Sequence, residues 1–148
     1  MQECFSSVGW LARGGRGTGG MSADRRKILV VDDSQLMHKM YELALRAYQR
    51  CELDTYFAAN GYEGLTELRS HTDIDLIMLD VNMPTMSGLE FLSHVKDDPA
   101  LRDIPVVLQT SEDSDEDRQR GLEAGAQGYL TKPFTPQRVH DILDQIFG

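Results

Sequence analysis

The chain has 148 residues, 41% hydrophobic and 26% charged, with a formal net charge of −9. That is room for one domain with a single core and a short remainder, and it excludes both a disordered polyampholyte and a chain built of membrane spans. The acid surplus also removes the clustered Lys and Arg on which binding to nucleic acid phosphates depends, so neither nucleic acid nor a membrane is expected as a partner.

Cys4 and Cys51 form no CxxC or CxxH pair, so neither a disulfide framework nor a zinc site is expected, and a reducing cytoplasm suits the composition. No stretch reaches the roughly 18 apolar residues of a membrane span, and Gly, Arg and Ser interrupt the N-terminal apolar residues where a secretory signal would be continuous. Residues 1–20 hold six of the thirteen glycines and the single tryptophan, Trp10, with no helical or strand period. They read as a flexible tail over 1–24, with the folded domain over 25–148. Because Met21 precedes the regular pattern, the tail reads as a start assigned too early or a cloning remnant.

From Lys27 short apolar runs alternate with amphipathic stretches. Ile28, Leu29, Val30 and Val31 form an unbroken run that stops at Asp32 and Asp33, the pattern of a strand buried on both faces. Ser34 is placed to cap a helix whose Leu36, Met40, Leu43, Ala44 and Ala47 recur at spacings of three and four, giving one inward stripe. A strand near Leu53 to Ala58, a break at Asn60 and Gly61, and a helix carrying Leu65 and Leu68 complete a second βα unit. The third strand, Leu76 to Leu79, ends at Asp80, and Pro84 and Gly88 mark a loop before a helix with Leu89, Leu92 and Val95.

Pro105 to Leu108 supply the fourth strand. The helix after it is expected to be marginal and mobile, because Ser111 to Asp117 is mostly acidic and few apolar residues precede Leu122. Ser114 and Asp117 stand at capping-box spacing, and acids suit a first helical turn, so this charge run has a structural explanation. A short strand at Tyr129 to Thr131 and a helix with Val139, Ile142, Leu143 and Ile146 close the pattern. Five strands alternating with five helices give a doubly wound α/β domain whose parallel sheet is covered on both faces. Ligands of such sheets sit beyond the carboxyl ends of the strands.

Asp32 and Asp33 close the first strand, Asp80 the third and Thr110 the fourth, and Lys132 follows the fifth, so five polar groups meet at one sheet edge. Two unit charges about 4 Å apart repel by about 4 kcal/mol at an effective dielectric near 20. Three clustered carboxylates therefore require protonation or a cation. Mg²⁺ answers that need, taking oxygen ligands and keeping waters: two carboxylates, a carbonyl from the loop after Asp80, and solvent. A carboxylate beside such an ion, a hydroxyl and an ammonium is equipped to accept a phosphoryl group. Asp80 would attack in line while the metal and Lys132 neutralise the transferring oxygens, giving an aspartyl phosphate. Neither GxxxxGK[ST] nor GxGxxG is present, so ATP is not expected as the direct donor.

ILVVDDS, MLDVNMPTMSGLE, VVLQTS and GYLTKPF, in that order, resemble the motifs of the two-component response regulator receiver domain over about residues 25–147. NMPTMSGLEFL and GYLTKPFTP are similar to stand-alone, chemotaxis-type (CheY-like) receivers. The resemblance implies a five-stranded flavodoxin-like sheet of order 2-1-3-4-5. It implies Asp80 as phospho-acceptor, Asp33 as a direct Mg²⁺ ligand, Asp32 as a partner through water, and Asn82 as a ligand through its backbone carbonyl. Thr110 and Lys132 would hold the phosphoryl oxygens, with Ser111 standing where relatives commonly carry Ala or Gly.

A switch is implied in which Thr110 moves toward the phosphoryl group and Tyr129 swings inward behind it. Pro133 matches a position with a cis bond that aims Lys132 inward, and Asn82 and Glu112 match positions bordering the path of hydrolytic water. Val81 departs from the aromatic of some relatives.

By the same resemblance the donor is a sensor histidine kinase or histidine phosphotransferase. The domain would catalyse only its own phosphorylation and dephosphorylation, as a monomer or weak dimer. With no output segment after Phe147, it would signal in trans through the surface of the fourth helix, fifth strand and fifth helix. Three other readings compete. A haloacid-dehalogenase-like phosphatase needs a second Asp where Asn82 stands; a phosphorylation-independent interaction module does not explain all five site residues; a flavodoxin-like cofactor protein lacks a hydroxyl-rich cradle and an aromatic pair. His38, His71, His94 and His140 are expected at the surface, and Cys51 as packing at the end of the first helix.

Overall fold

A computed structural model describes residues 25–83, 85–110 and 115–147. The expected tail over 1–24, Pro84, Ser111, Glu112 and the cap at Ser114 lie outside the described residues. In chain order the elements are β1 (Arg25–Val31), α1 (Gln35–Arg46), β2 (Glu52–Ala58), α2 (Gly61–Ser70) and β3 (Leu76–Asp80). They continue with α3 (Gly88–Asp97), β4 (Val106–Thr110), α4 (Asp115–Glu123), β5 (Gly128–Thr131) and α5 (Pro136–Phe147). The sheet order is β2-β1-β3-β4-β5 and every pairing is parallel, as the alternation of the sequence and its family resemblance imply. β3 pairs with β4 so that Asp80 lies beside Gln109, and β4 with β5 so that Thr110 lies beside Thr131.

The all-apolar strands are sorted by the two-residue period into two cores. Ile28, Val30, Met78, Val107 and Leu130 face α1 and α5; Leu29, Val31, Ile77, Leu79 and Leu108 face the helices of the other layer. Each large aliphatic side chain fully buried this way contributes about 1.5–3 kcal/mol of transfer free energy, which is why strands so short hold together.

The helix of the first βα unit differs from the sequence expectation. Ser34 does cap it, accepting from the Met37 N–H, but the inward residues are Met37, Tyr41, Ala44 and Leu45. Leu36 and Leu43, expected inside, are 67% and 59% exposed, and Ala47 is exposed too. Two stripes at helical spacing lie side by side on α1, and the one carrying the large aromatic Tyr41 docks, because it fills more of the space beside Phe134.

Three histidines also depart from expectation. His38 and His140 are half-buried, each with Nε2 on a backbone carbonyl (of Asp32 at 2.6 Å and of Ala44 at 2.7 Å), and His71 stacks on Tyr56. Only His94 is exposed. Cys51 is buried as packing, in the turn entering β2 and not at the end of α1. α4 is nine residues long and its Leu122 is 48% exposed, in keeping with a weakly anchored helix. No described helix is long and apolar enough to cross a membrane.

One glycine fixes the geometry after β3. A Cβ on Gly88 would lie 2.3 Å from the carbonyl oxygen of Asp80 and 2.7 Å from the Cα of Val81, so the start of α3 approaches the acidic strand end as closely as backbone allows. The Gly88 N–H donates to the Val81 carbonyl at 3.0 Å, and a capping box between Ser87 and Glu90 secures the helix start.

Candidate functional site

Because side chains alternate along a strand, the groups at the carboxyl ends of four neighbouring strands emerge in a row. Asp32 follows β1, Asp80 ends β3, Gln109 lies beside it in β4, and Lys132 follows β5. Asp32, Asp33 and Asp80 offer carboxylate oxygens within 4.8 Å of one another, with Asp32 and Asp80 buried and Asp33 exposed. Lys132 Nζ stands 3.5 Å from Asp32 Oδ2 and 3.5 Å from Asp80 Oδ1. The Lys132–Pro133 bond is cis, as the resemblance implies, and the following Phe134 packs on Tyr41 with ring centroids 4.8 Å apart.

Asp80 is pushed up from the ordinary carboxylate range to about 6. Burial is the largest cause and the Asp32 charge adds to it, while Lys132 and the Asn82 N–H, which donates to Asp80 Oδ1 at 3.1 Å, pull the other way. Burial and then the charges of Asp32 and Asp80 also raise the Tyr41 hydroxyl well above its usual value. The unfavourable side prevails at Asp80 even with an ammonium beside it. Three oxygen donors, without histidine or thiol among them, fit a hard divalent cation that would relieve this crowding.

Thr110 lies across the sheet edge. It is buried, and its Oγ1 accepts from Asn82 Nδ2 at 3.3 Å. Beside it a pocket of about 320 Å³ is lined by Asn82, Leu89, Leu108, Thr110, Arg120 and Tyr129. Tyr129 is half-buried at this pocket, and the Arg118 guanidinium sits 4.8 Å from its ring centroid.

The structure thus brings together Asp32, Asp33, Asp80, Asn82, Thr110, Lys132 and Tyr129; Ser111 and Glu112 fall outside the described residues. The sequence reading missed Gln109, whose Nε2 donates to Asp32 Oδ2 at 2.9 Å inside the protein. The signal for it was present, since it is the one amide at the end of an otherwise apolar run, Val106 to Leu108. Tyr41, Arg118 and Arg120 carried no such signal, because a helix's rotation about its axis is set by packing.

A model of the family described as response regulator receiver domain matches residues 28–144. The chain is 40% identical over 116 residues to the phosphate regulon transcriptional regulatory protein PhoB of Escherichia coli, which covers 77% of this chain and 48% of that protein. It therefore spans about half the length of that relative. It is 33% identical over 124 residues to chemotaxis protein CheY1 of Helicobacter pylori, covering 82% of this chain and 97% of the relative. The solved structure of chemotaxis protein CheY4 of Vibrio cholerae superposes with a TM-score of 0.74 at 35% identity, covering 83% of this chain and 99% of that one.

Proposed function

The chain belongs to the response regulator receiver domain family, and on that premise we propose that it is a signalling phospho-acceptor that takes a phosphoryl group on Asp80 from a phosphohistidine of a sensor kinase or phosphotransferase. An Asp80 oxygen forms the new P–O bond as the P–N bond of the donor breaks, and the departing imidazole keeps the electron pair and takes up a proton. Asp33, Asp80 and the Asn82 carbonyl, with Asp32 through water, would hold Mg²⁺, which supplies neutralisation of the phosphoryl oxygens when bound.

Lys132 places its ammonium on one phosphoryl oxygen, aimed by the segment that begins at Pro133, and Thr110, beside Ser111, offers a hydroxyl to another. Asn82 and Glu112 govern access of hydrolytic water and so the lifetime of the acyl phosphate. The domain promotes only these reactions of its own side chain. Phosphorylation adds charge and acceptor oxygens, Thr110 gains a charge-assisted bond by moving toward them, and Tyr129 follows into the space behind it. The altered surface of α4, β5 and α5 is then read in trans by a protein target. Chemotaxis-type relatives that match along nearly their whole length favour that form of output.

The observation that carries this reading is a buried carboxylate kept near pKa 6 with Lys132 shared between it and a second buried acid. Incubation with Mg²⁺ and a small acyl phosphate, followed by intact mass, should show one added phosphoryl group on the wild type and none on Asp80→Asn. Equal addition to both would refute the assignment.

A further inference from the structure

Gln109 is 1% exposed and ends an apolar run, in a place where an amide costs free energy unless it is used. Its Nε2 donates to Asp32 Oδ2 at 2.9 Å, and the same oxygen lies 3.5 Å from Lys132 Nζ. The other oxygen, Oδ1, accepts from the Ser34 N–H at 2.9 Å. The Asp32 carboxylate is therefore held at both ends. The amide's orientation follows from chemistry, since turning it over would set two acceptors face to face. Its Oε1 has no hydrogen-bond partner among the described residues, and neither has the buried Tyr41 hydroxyl on the α1 side of the same acids. A buried amide that leaves one end unsatisfied to keep the other on a carboxylate serves that carboxylate more than the fold.

We propose that Gln109 is a positioning residue for Asp32: it competes with Lys132 for Asp32 Oδ2, so that the ammonium stays shared with Asp80 and Asp32 keeps its charge directed at the cation site. This rests on the function proposed above. Without the amide, the lone pairs of Oδ2 are open to Lys132, which closes on Asp32, withdraws from Asp80 and neutralises a carboxylate that the cation needs.

The variant is Gln109→Met, which keeps length and volume and removes the donor. Its Mg²⁺ affinity by calorimetric titration should fall by about tenfold, the usual scale for losing a partner that orients a metal-binding group. Its thermal midpoint with a chelator should change little, because the bond lost from Asp32 is replaced by Lys132 and an unsatisfied Oε1 goes with it; a merely structural amide would lower the midpoint and leave Mg²⁺ affinity unchanged. In the wild type, the Gln109 side-chain amide protons should exchange slowly with solvent and shift during Mg²⁺ titration by NMR, a measurement independent of whether the variant folds. Equal Mg²⁺ affinity in the two chains, or amide protons that exchange freely and ignore Mg²⁺, would overturn the role of Gln109 alone. Absence of Mg²⁺ binding by the wild type would overturn both this role and the parent reading.

Discussion

Lys132 and Asp80 are joined at 3.5 Å, and Lys132 and Asp32 at the same distance, so one ammonium is divided between two buried carboxylates and fully satisfies neither. Burial first, and then the Asp32 charge, hold Asp80 above the ordinary carboxylate range against the pull of Lys132. The site carries a charge imbalance that the remainder of the fold tolerates.

Asp80→Asn should stabilise the metal-free protein. The folded-state pKa is raised from 3.8 to about 6, so the folded chain binds more protons than the unfolded one across that interval and its stability falls as pH rises through it. Above pH 6 the ionised carboxylate costs up to about 3 kcal/mol, from roughly two pKa units. Urea denaturation with a chelator at pH 7.5 should place the variant about 1–3 kcal/mol above the wild type, with the gap closing near pH 4. A midpoint unchanged or lowered at pH 7.5 would contradict the crowding.

Lys132→Met should act in the opposite direction. Removing the ammonium beside two buried acids leaves their charges opposed by less, which costs about 2 kcal/mol at pH 7.5 and less at pH 5, where Asp80 is largely protonated. Denaturation at the two pH values measures the difference, and a cost independent of pH would show that the ammonium acts through packing of its stem.

Gly88→Ala should disturb the acidic strand end and not only the helix it begins. The added methyl meets backbone atoms of Asp80 and Val81, which have no rotamer by which to yield, so a loss of about 2–4 kcal/mol is expected. A reduced phosphorylation rate in the folded fraction would accompany it. A stability change below 0.5 kcal/mol, the range of ordinary surface substitutions, would mean the approach of α3 is looser than described.

Thr85 has φ +71°, a left-handed conformation that a β-branched side chain adopts only under strain. Thr85→Asn keeps a side chain that tolerates this region without adding the unfolded-state entropy of glycine, and should raise stability by about 0.5–1 kcal/mol. Thermal denaturation of the two chains measures it, and a lower midpoint for the variant would show that the threonine makes compensating contacts.

The parallel α/β class and the carboxyl-edge residues were legible in the sequence because all-apolar runs with polar ends leave few arrangements, whereas the strand order followed from the family resemblance. Asp32, Asp80, Thr110 and Lys132 each occupy the place a strand's end gives them. The orientation of α1 was not legible. Of the expected stripe Ala44 and Met40 do pack on the core, but Leu36, Leu43 and Ala47 lie at helical spacings just as Met37, Tyr41, Leu45 and Tyr48 do, and only the partner surface decides between them. Tyr41 wins with a ring wedged against Phe134, a contact far away in sequence. The histidines were misjudged for a related reason: imidazoles at helix edges find carbonyls that no local pattern announces, as His38 finds that of Asp32.

The alternation that puts Asp32, Asp80 and Gln109 on the α1 and α5 side of the sheet puts Thr110 on the other, beside Tyr129 and Arg120. The two compartments are separated by a single layer of backbone, and Asn82 spans it, with its N–H on Asp80 and its amide on Thr110. A group added to the acid at this edge would be met from both faces, with Asn82 already tied to the acid on one and to the hydroxyl on the other.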